Sequence, residues 1–304
     1  MAPGVIWFQN LFYSKVAGRL LPASWFGPPP PPVNELEPSG LPLKLEIVAH
    51  CWQYSHLWTY QLSSLLNHTP GKVSLTYTLY HAAEDAGTRA LIDALEARES
   101  QRASGINWQW RELPREQLMR RAIGRHDAAT RTRAEWVWFT DCDLIFHDNC
   151  LDSLAEALAG RRARLVFPAG EFITAELLPA DHPWLHRGEP EHLPVDIDTS
   201  LFIPNPIAKA KGAFQIVHGD VCRRSGYCGN IRPYQTPTAA WRKTFEDTAF
   251  RNLIGDQGEP VNVESLYRIR HEDKGRYTQA SGVSALRRSI RRRTDNRSDA
   301  TENA

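Results

Sequence analysis

The feature of the sequence that most limits its fold is a regular alternation of strand-like and helix-like segments from residue 43 onward. Short apolar runs rich in β-branched and aromatic residues alternate with segments whose apolar residues recur every three or four positions. The strand-like runs are 43–50, 72–81, 106–113, 134–143, 163–169 and 261–271, and the helix-like segments are 56–68, 88–98, 113–132, 151–160 and 246–255. This order predicts an α/β domain with a mostly parallel sheet flanked by helices.

Composition and patterning divide the chain into four predicted parts. An amphipathic helical segment (1–27) comes first, and it would pack on its own domain, on a twin subunit or on a membrane surface. A proline-rich linker (28–42) follows, and a single catalytic domain is expected over 43–280. The arginine-rich tail (281–304) is typical of a disordered, solvated end, with contact to anionic lipid as the alternative.

The overall composition narrows the class of protein. Of 304 residues 42% are hydrophobic and the formal net charge is +1, so nothing in the whole chain favours binding to nucleic acid. No apolar stretch approaches the roughly 20 residues that span a bilayer, and we expect no signal peptide. Five cysteines without a CxxC pair predict reduced thiols. We therefore expect a cytoplasmic protein, with peripheral membrane contact through either end as a possibility.

The first candidate site is a pair of aspartates after a very apolar run, WVWFTDCDLIF. If the segment is extended, Asp141 and Asp143 point to the same side while Cys142 turns toward the core. Ligands of open parallel sheets bind beyond the carboxyl ends of the strands, and two carboxylates there suit Mg²⁺ or Mn²⁺. The alternative is a polar strand end with two solvated aspartates.

Two further candidates lie in the last third of the chain. Glu246 and Asp247 begin the helix-like segment 246–255, where acids also serve simply as complements to the helix dipole. His271 ends the strand-like segment 261–271, and a neutral imidazole there is either a metal ligand or a structural residue.

The order of these elements resembles the GT-A fold glycosyltransferases, specifically family 2-like members. Those enzymes carry a DxD pair after an apolar strand, a glycine-containing loop, an acid pair called xED and a late histidine. The matching positions are Asp141-Cys142-Asp143, Gly219, Phe245-Glu246-Asp247 and His271, and the segment HCWQYSHLWTYQLSSLLNHTP is similar to the family's opening strand and helix. The resemblance covers roughly residues 43–275.

The resemblance implies roles for individual residues. Asp141, Asp143 and His271 would bind Mn²⁺ or Mg²⁺, and Asp247, with Glu246 beside it, would be the catalytic base. The residues implied for the nucleotide are Asp141, Glu84 and Asp85 after the second strand, His50 at the end of the first strand, and Arg121 and Arg125 in the helical segment before the DxD pair.

The resemblance also implies an activity: transfer of a sugar, with inversion, from a nucleotide-diphosphate donor, a UDP-sugar above all, to an acceptor hydroxyl. The acceptor would be a glycan, a lipid-linked sugar or a small molecule, in a pocket formed by about 170–206 with Trp241. Two alternatives remain open at this point. One is a Mg²⁺-dependent phosphatase of the haloacid dehalogenase type, which also has a DxD pair after an apolar strand. The other is a non-catalytic relative that binds a nucleotide sugar or glycan.

Overall fold

The structure is a computed structural model that describes residue 12 and residues 23–98, 105–239 and 244–272. Most of the predicted N-terminal helical segment, all of the basic tail and Trp241 lie outside the described residues, so these predictions stay untested. The three predicted boundaries between the four parts likewise stay predictions. No helix of the described residues is long and apolar enough to cross a membrane.

The centre of the fold is a seven-stranded sheet in the order β10-β6-β9-β4-β1-β2-β3. Its strands are β1 (Leu43–His50), β2 (Val73–His81), β3 (Asn107–Glu112), β4 (Trp136–Phe139), β6 (Leu165–Pro168), β9 (Gln215–His218) and β10 (Glu259–Val261). All neighbouring pairs are parallel except those that β9 makes with β4 and β6. The predicted α/β fold with a mostly parallel sheet is therefore confirmed.

A smaller sheet has the strand order β5-β11-β7-β8, and β5 begins directly after Asp143. Its strands are β5 (Leu144–Phe146), β7 (Gly170–Thr174), β8 (Phe202–Pro206) and β11 (Leu266–Arg268). The prediction of one strand over 134–143 is wrong, because β4 ends at Phe139 and the chain turns at 140–143 to enter the second sheet. The predicted strand 261–271 is similarly divided between β10 and β11, and His271 makes a single bridge with Leu178.

Eight α-helices surround the sheets within the described ranges. They are α1 (Ser55–Asn67), α2 (Ala86–Glu96), α3 (Arg115–Leu118), α4 (Arg121–Arg131), α5 (Cys150–Leu158), α6 (Gly219–Ser225), α7 (Arg232–Gln235) and α8 (Glu246–Ile254). The helix predicted over 113–132 is two helices, because Arg120 leaves the helical region with φ −116° and ψ 79°. Because of this break, α4 begins at Arg121, whose side chain contacts Asp141.

The strands are apolar because both faces of the sheet are covered. In β1 every residue except Lys44 is buried, and the indoles of Trp136 and Trp138 in β4 are inaccessible to solvent. All five cysteines are buried and none forms a disulfide. All five therefore belong to the buried interior of the domain.

The proline-rich segment 28–42 lies against the domain. Arg164 donates from Nε to the carbonyl of Pro31 (3.1 Å), and Arg224 donates from Nε to the carbonyl of Pro29 (3.0 Å). Leu36 is 1% exposed and belongs to the core. The segment therefore touches the domain at a few points, where Pro31, Leu36 and Ser39 are buried, and most of its other residues are exposed.

Candidate active site

The turn that carries the DxD pair is fixed by a chain of buried hydrogen bonds. Gln61 of α1 donates from Nε2 to the backbone carbonyls of Asp141 (3.1 Å) and Leu144 (2.8 Å). Tyr77 donates to Oε1 of Gln61 (2.5 Å), and Trp58 donates to the Tyr77 hydroxyl (2.9 Å). Buried polar groups that are all satisfied hold a single geometry. The turn is thus a rigid platform for its two carboxylates.

Arg121 joins the two acidic segments. Its Nη1 forms a close ion pair with Oδ1 of Asp141, and its Nε lies 3.7 Å from Oε1 of Glu246. Burial by itself lowers the pKa of Arg121, but the Asp141 and Glu246 carboxylates more than offset this, so its pKa lies above the ordinary value. The guanidinium remains charged and holds the first turns of α4 and α8 against the DxD turn.

Tyr54 joins the other two predicted ligands. Its hydroxyl lies 2.5 Å from Nε2 of His271 and 3.4 Å from Oδ2 of Asp143, and all three side chains are buried. His271 is brought there by the bridge of its strand segment to Leu178. The structure therefore brings Asp143 and His271 to one shared hydroxyl group.

The xED pair divides into a buried and a more accessible acid. Glu246 is 4% exposed, whereas Asp247 is only partly buried. Oδ2 of Asp247 accepts a hydrogen bond from the backbone N–H of Gly212 (3.2 Å), and its carbonyl accepts one from Nε2 of Gln215 (3.2 Å). Both acids also complement the dipole of α8, so a capping role and a chemical role are compatible.

Asp85 contributes to the site by fixing the loop and the helix on either side of it. Its Oδ2 accepts from Thr88 Oγ1 (2.8 Å) and from the N–H of Gln53 (2.6 Å), so it caps α2 and holds the loop that carries Tyr54. Gln53 needs that support because its φ is 50°, which is rarely adopted outside glycine. Glu84, next to Asp85, is exposed.

His50, the remaining residue predicted for the nucleotide, is 6% exposed at the carboxyl end of β1. Its ring stacks on Tyr80, with centroids 5.0 Å apart. A Cβ at Gly124 would meet Nε2 of His50 at 2.2 Å, so α4 packs directly on the ring. This burial leaves little of His50 to contact a ligand.

The structure places two of the residues singled out in the sequence, Arg125 and Gly219, in surroundings that differ from those the resemblance implies. Arg125, predicted to contact the nucleotide, is fully buried and donates to the Tyr227 hydroxyl (2.9 Å) and the Gly212 carbonyl (3.1 Å). Gly219, matched to the family's glycine loop, begins α6 at the opposite end of β4 from the DxD turn, because antiparallel β9 pairs His218 with Trp136 at the start of β4.

The structure adds an ion pair that the sequence did not suggest. Arg268 donates from Nε and Nη2 to the two carboxylate oxygens of buried Glu171, at 2.8 and 2.5 Å. Burial lowers the pKa of Arg268, but Glu171, Asp143 and Asp141 outweigh it, so the pKa is raised overall. The two partners are 97 positions apart and belong to different strands, so no local pattern signals the pair.

The donors gathered here suit a divalent cation. Two aspartates with an imidazole form an oxygen-rich set of the kind that holds Mn²⁺ or Mg²⁺. Among the described residues, however, the ligand atoms of these three side chains do not all lie within 4.8 Å of one another. The Tyr54 hydroxyl lies between two of them. The chemical types fit a metal, and its binding stays a prediction.

The middle of the chain is similar in sequence to one known protein family. Residues 84–227 match the model of glycosyl transferase family 2, which is just under half of the chain. This confirms the resemblance to that family, and the matched segment includes Asp141 and Asp143. The xED pair and His271 lie beyond its end. No curated protein matches the chain.

Among solved structures, the chain is similar to S. aureus TarS. TarS 1-349 is 12% identical, with 75% of this chain and 60% of that chain covered and a TM-score of 0.44. TarS 1-349 in complex with UDP-GlcNAc is 11% identical, with 78% and 62% covered and a TM-score of 0.45. The chain thus spans about three fifths of the length of these TarS chains.

Proposed function

Taking the family 2 match over residues 84–227 as the premise, we propose that the chain is a metal-dependent glycosyltransferase that transfers a sugar, with inversion, from a nucleotide-diphosphate donor to an acceptor hydroxyl. The observation that carries the proposal is the assembly of both acid pairs and His271 at one place, through Arg121 and Tyr54. The family match favours a transferase over the phosphatase alternative.

The acceptor hydroxyl is a weak nucleophile, so a carboxylate must take its proton as the new bond forms. We assign this role to Asp247, because it is the more accessible acid of its pair and the Gly212 N–H fixes its position. Glu246 is buried and faces Arg121, which suits it to positioning rather than to proton transfer. A base that acts on the face opposite the leaving group gives inversion at the anomeric carbon.

The leaving nucleoside diphosphate must have its charge neutralised before the glycosidic bond breaks easily. Mn²⁺ or Mg²⁺ held by Asp141, Asp143 and His271 would supply that Lewis-acid neutralisation when bound. Tyr54 orients Asp143 and His271, and Arg121 limits the movement of Asp141.

The donor and acceptor follow from this chemistry only as classes. We propose a UDP-sugar as the donor and a glycan, a lipid-linked sugar or a small molecule as the acceptor. Of the residues predicted to contact the nucleotide, Glu84 is the one that is exposed. The segment from about 170 to 206, whose Trp184 packs on Tyr60 and Phe202, would form one wall of the acceptor pocket. We propose a cytoplasmic location, with peripheral contact to a membrane.

The decisive experiment assays the full chain against a panel of nucleotide sugars, with Mn²⁺, Mg²⁺ or EDTA, and follows release of the nucleoside diphosphate. We expect metal-dependent turnover with a UDP-sugar, and an increase in Tm with UDP plus Mn²⁺. Asp143→Asn should abolish both, whereas Asp93→Asn, an exposed aspartate on α2, should change neither.

Three outcomes would count against the proposal. Hydrolysis of p-nitrophenyl phosphate without nucleotide-sugar turnover would favour the phosphatase. Stabilisation by a nucleotide sugar without any turnover would favour a non-catalytic binding protein. If Asp93→Asn lost as much activity as Asp143→Asn, the assigned site would be wrong.

A further inference from the structure

A second group of potential ligands lies at the C-terminal end of α1. His68 immediately follows α1, His147 immediately follows β5, and Asp196 lies in the loop before β8. One ligand atom from each lies within 4.8 Å of the other two, which no other trio of His, Cys, Asp or Glu achieves among the described residues. Asp143 directly precedes β5 and His147 directly follows it, and four steps of extended chain span roughly 13 Å. The group is therefore separate from the acidic site.

The spacing of these atoms fits a small transition-metal ion. The two imidazole rings have centroids 4.1 Å apart, and Nε2 of His147 lies 3.5 Å from Oδ1 of Asp196. Around a tetrahedral ion with bonds of about 2.0–2.2 Å, neighbouring ligand atoms are about 3.4 Å apart. The 3.5 Å separation is long for a hydrogen bond but ordinary for two ligands of one ion.

His68 supplies an independent indication. Its Nε2 is a buried atom that makes no hydrogen bond within the described structure. A buried polar nitrogen without a partner is unfavourable, and a bound water or metal ion is one way in which such an atom is satisfied. Here the nitrogen belongs to the trio whose other two members already lie within ligand distance of each other.

The surrounding contacts hold the three segments in place. The N–H of Val195 donates to Oγ of Ser63 in α1 (2.8 Å), and the N–H of Ile197 donates to Oδ1 of Asp196 (2.8 Å). The ring of Tyr267 packs edge-on against His147, with centroids 5.5 Å apart. Val195 therefore anchors the loop to α1, and the N–H of Ile197 fixes the carboxylate of Asp196.

We propose that His68, His147 and Asp196 bind a transition-metal ion, Zn²⁺ in the first place, that fastens the loop 193–198 to the ends of α1 and β5. Two nitrogens and one carboxylate suit Zn²⁺ rather than Mg²⁺ or Mn²⁺, which prefer sets made mostly of oxygen. Three protein ligands leave one position for water. The role is structural, since it ties the segment leading to β8 to the helix whose N-terminal end adjoins Tyr54.

The test is a titration of the full chain with Co²⁺, which reports four-coordinate binding by its visible absorption, followed by competition with Zn²⁺. Asp141→Asn/Asp143→Asn serves as the background, so that the acidic site takes no metal. We expect one equivalent to bind. His68→Gln, His147→Gln and Asp196→Asn should each lower the affinity about tenfold or more. His186→Gln, an exposed histidine of the same region, is the matched control and should bind as the background does.

The outcomes separate cleanly. If the three ligand variants, folded by far-ultraviolet circular dichroism, bind Co²⁺ and Zn²⁺ as tightly as the background, the site does not exist. Asp196→Asn keeps the test decisive even if His68→Gln misfolds. Asp196 is 61% exposed, so its substitution cannot disrupt the core. We also expect Zn²⁺ to raise the Tm of the background and not that of Asp196→Asn. Nucleotide-sugar turnover is measured separately, so failure of either proposal leaves the other intact.

Discussion

The two acidic segments of the candidate site look alike in sequence but have different surroundings. In the turn after β4, Asp141 pairs with Arg121, and Asp143 is buried beside Tyr54. Around the first turn of α8, Glu246 is the buried acid and Asp247 the more accessible one. The buried acid is therefore the second of the DxD pair but the first of the xED pair.

The contrast teaches how one cation can organise two acid pairs. Arg121 contacts one acid of each pair, Asp141 and Glu246, and so restrains both segments at once. Asp143 and Asp247 remain for other partners. We infer that Glu246 positions the site, that Asp141, restrained by Arg121, joins Asp143 as a metal ligand, and that Asp247 carries the proton chemistry of the proposed reaction.

The largest expected effect separates the two acids of α8. Asp247→Asn should lower kcat by about 10²–10⁴-fold, the usual contribution of a positioned base, with little change in donor KM. Steady-state release of nucleoside diphosphate at saturating acceptor measures both constants. Glu246→Gln is the matched control and should lose far less. Equal losses in kcat would contradict the division between the two acids.

The second prediction concerns the residue that links the pairs. Arg121→Met leaves two nearly buried carboxylates without their cation, which should lower the free energy of unfolding by about 3–5 kcal/mol. Urea denaturation followed by circular dichroism measures this. Arg131→Gln on the same helix removes an exposed pair with Asp127 and should cost less than about 1 kcal/mol. Similar losses in the two variants would mean that Arg121 does not hold the segments together.

A smaller effect is expected from the hydroxyl between Asp143 and His271. Tyr54→Phe should lower the free energy of unfolding by about 1–3 kcal/mol, because both buried partners lose a hydrogen bond. It should also change the increase in Tm that UDP plus Mn²⁺ produces. Tyr60→Phe removes a hydroxyl that donates to the Trp184 carbonyl and should leave that increase unchanged. The assignment of Tyr54 fails if the two variants respond to UDP plus Mn²⁺ alike.

The smallest effect comes from Glu46, a buried acid of β1 outside both pairs. Burial raises the pKa of Glu46 above 4.5, although the hydroxyl of Thr78 donates to it. A raised pKa in the folded state means that its contribution to stability is complete below pH 4.5 and is lost as the pH rises through the raised value. Glu46→Gln should therefore be more stable than the native chain at pH 7, and the difference should vanish toward pH 4. Urea midpoints across this range test it, and a difference independent of pH would contradict it.

Much of the fold is written in local patterns. The periodicity of the apolar residues predicts β1 from Leu43 to His50 as observed, and α1 and α8 to within a residue or two at each end. The acidic segments could also be found this way, because each directly adjoins a conspicuous apolar strand or helix. These features depend only on neighbours along the chain.

What the sequence by itself determined is thus the order of strands and helices, the α/β class and the positions of both acid pairs. Only the tertiary structure decided how those residues are used. Arg121 and Arg125 lie one helical turn apart, yet one meets carboxylates and the other is buried against Tyr227. Gly219 is far from the acids because β9 runs antiparallel to β4. The direction of a strand and the side of a helix that is covered are set by distant segments, and those contacts leave no local pattern.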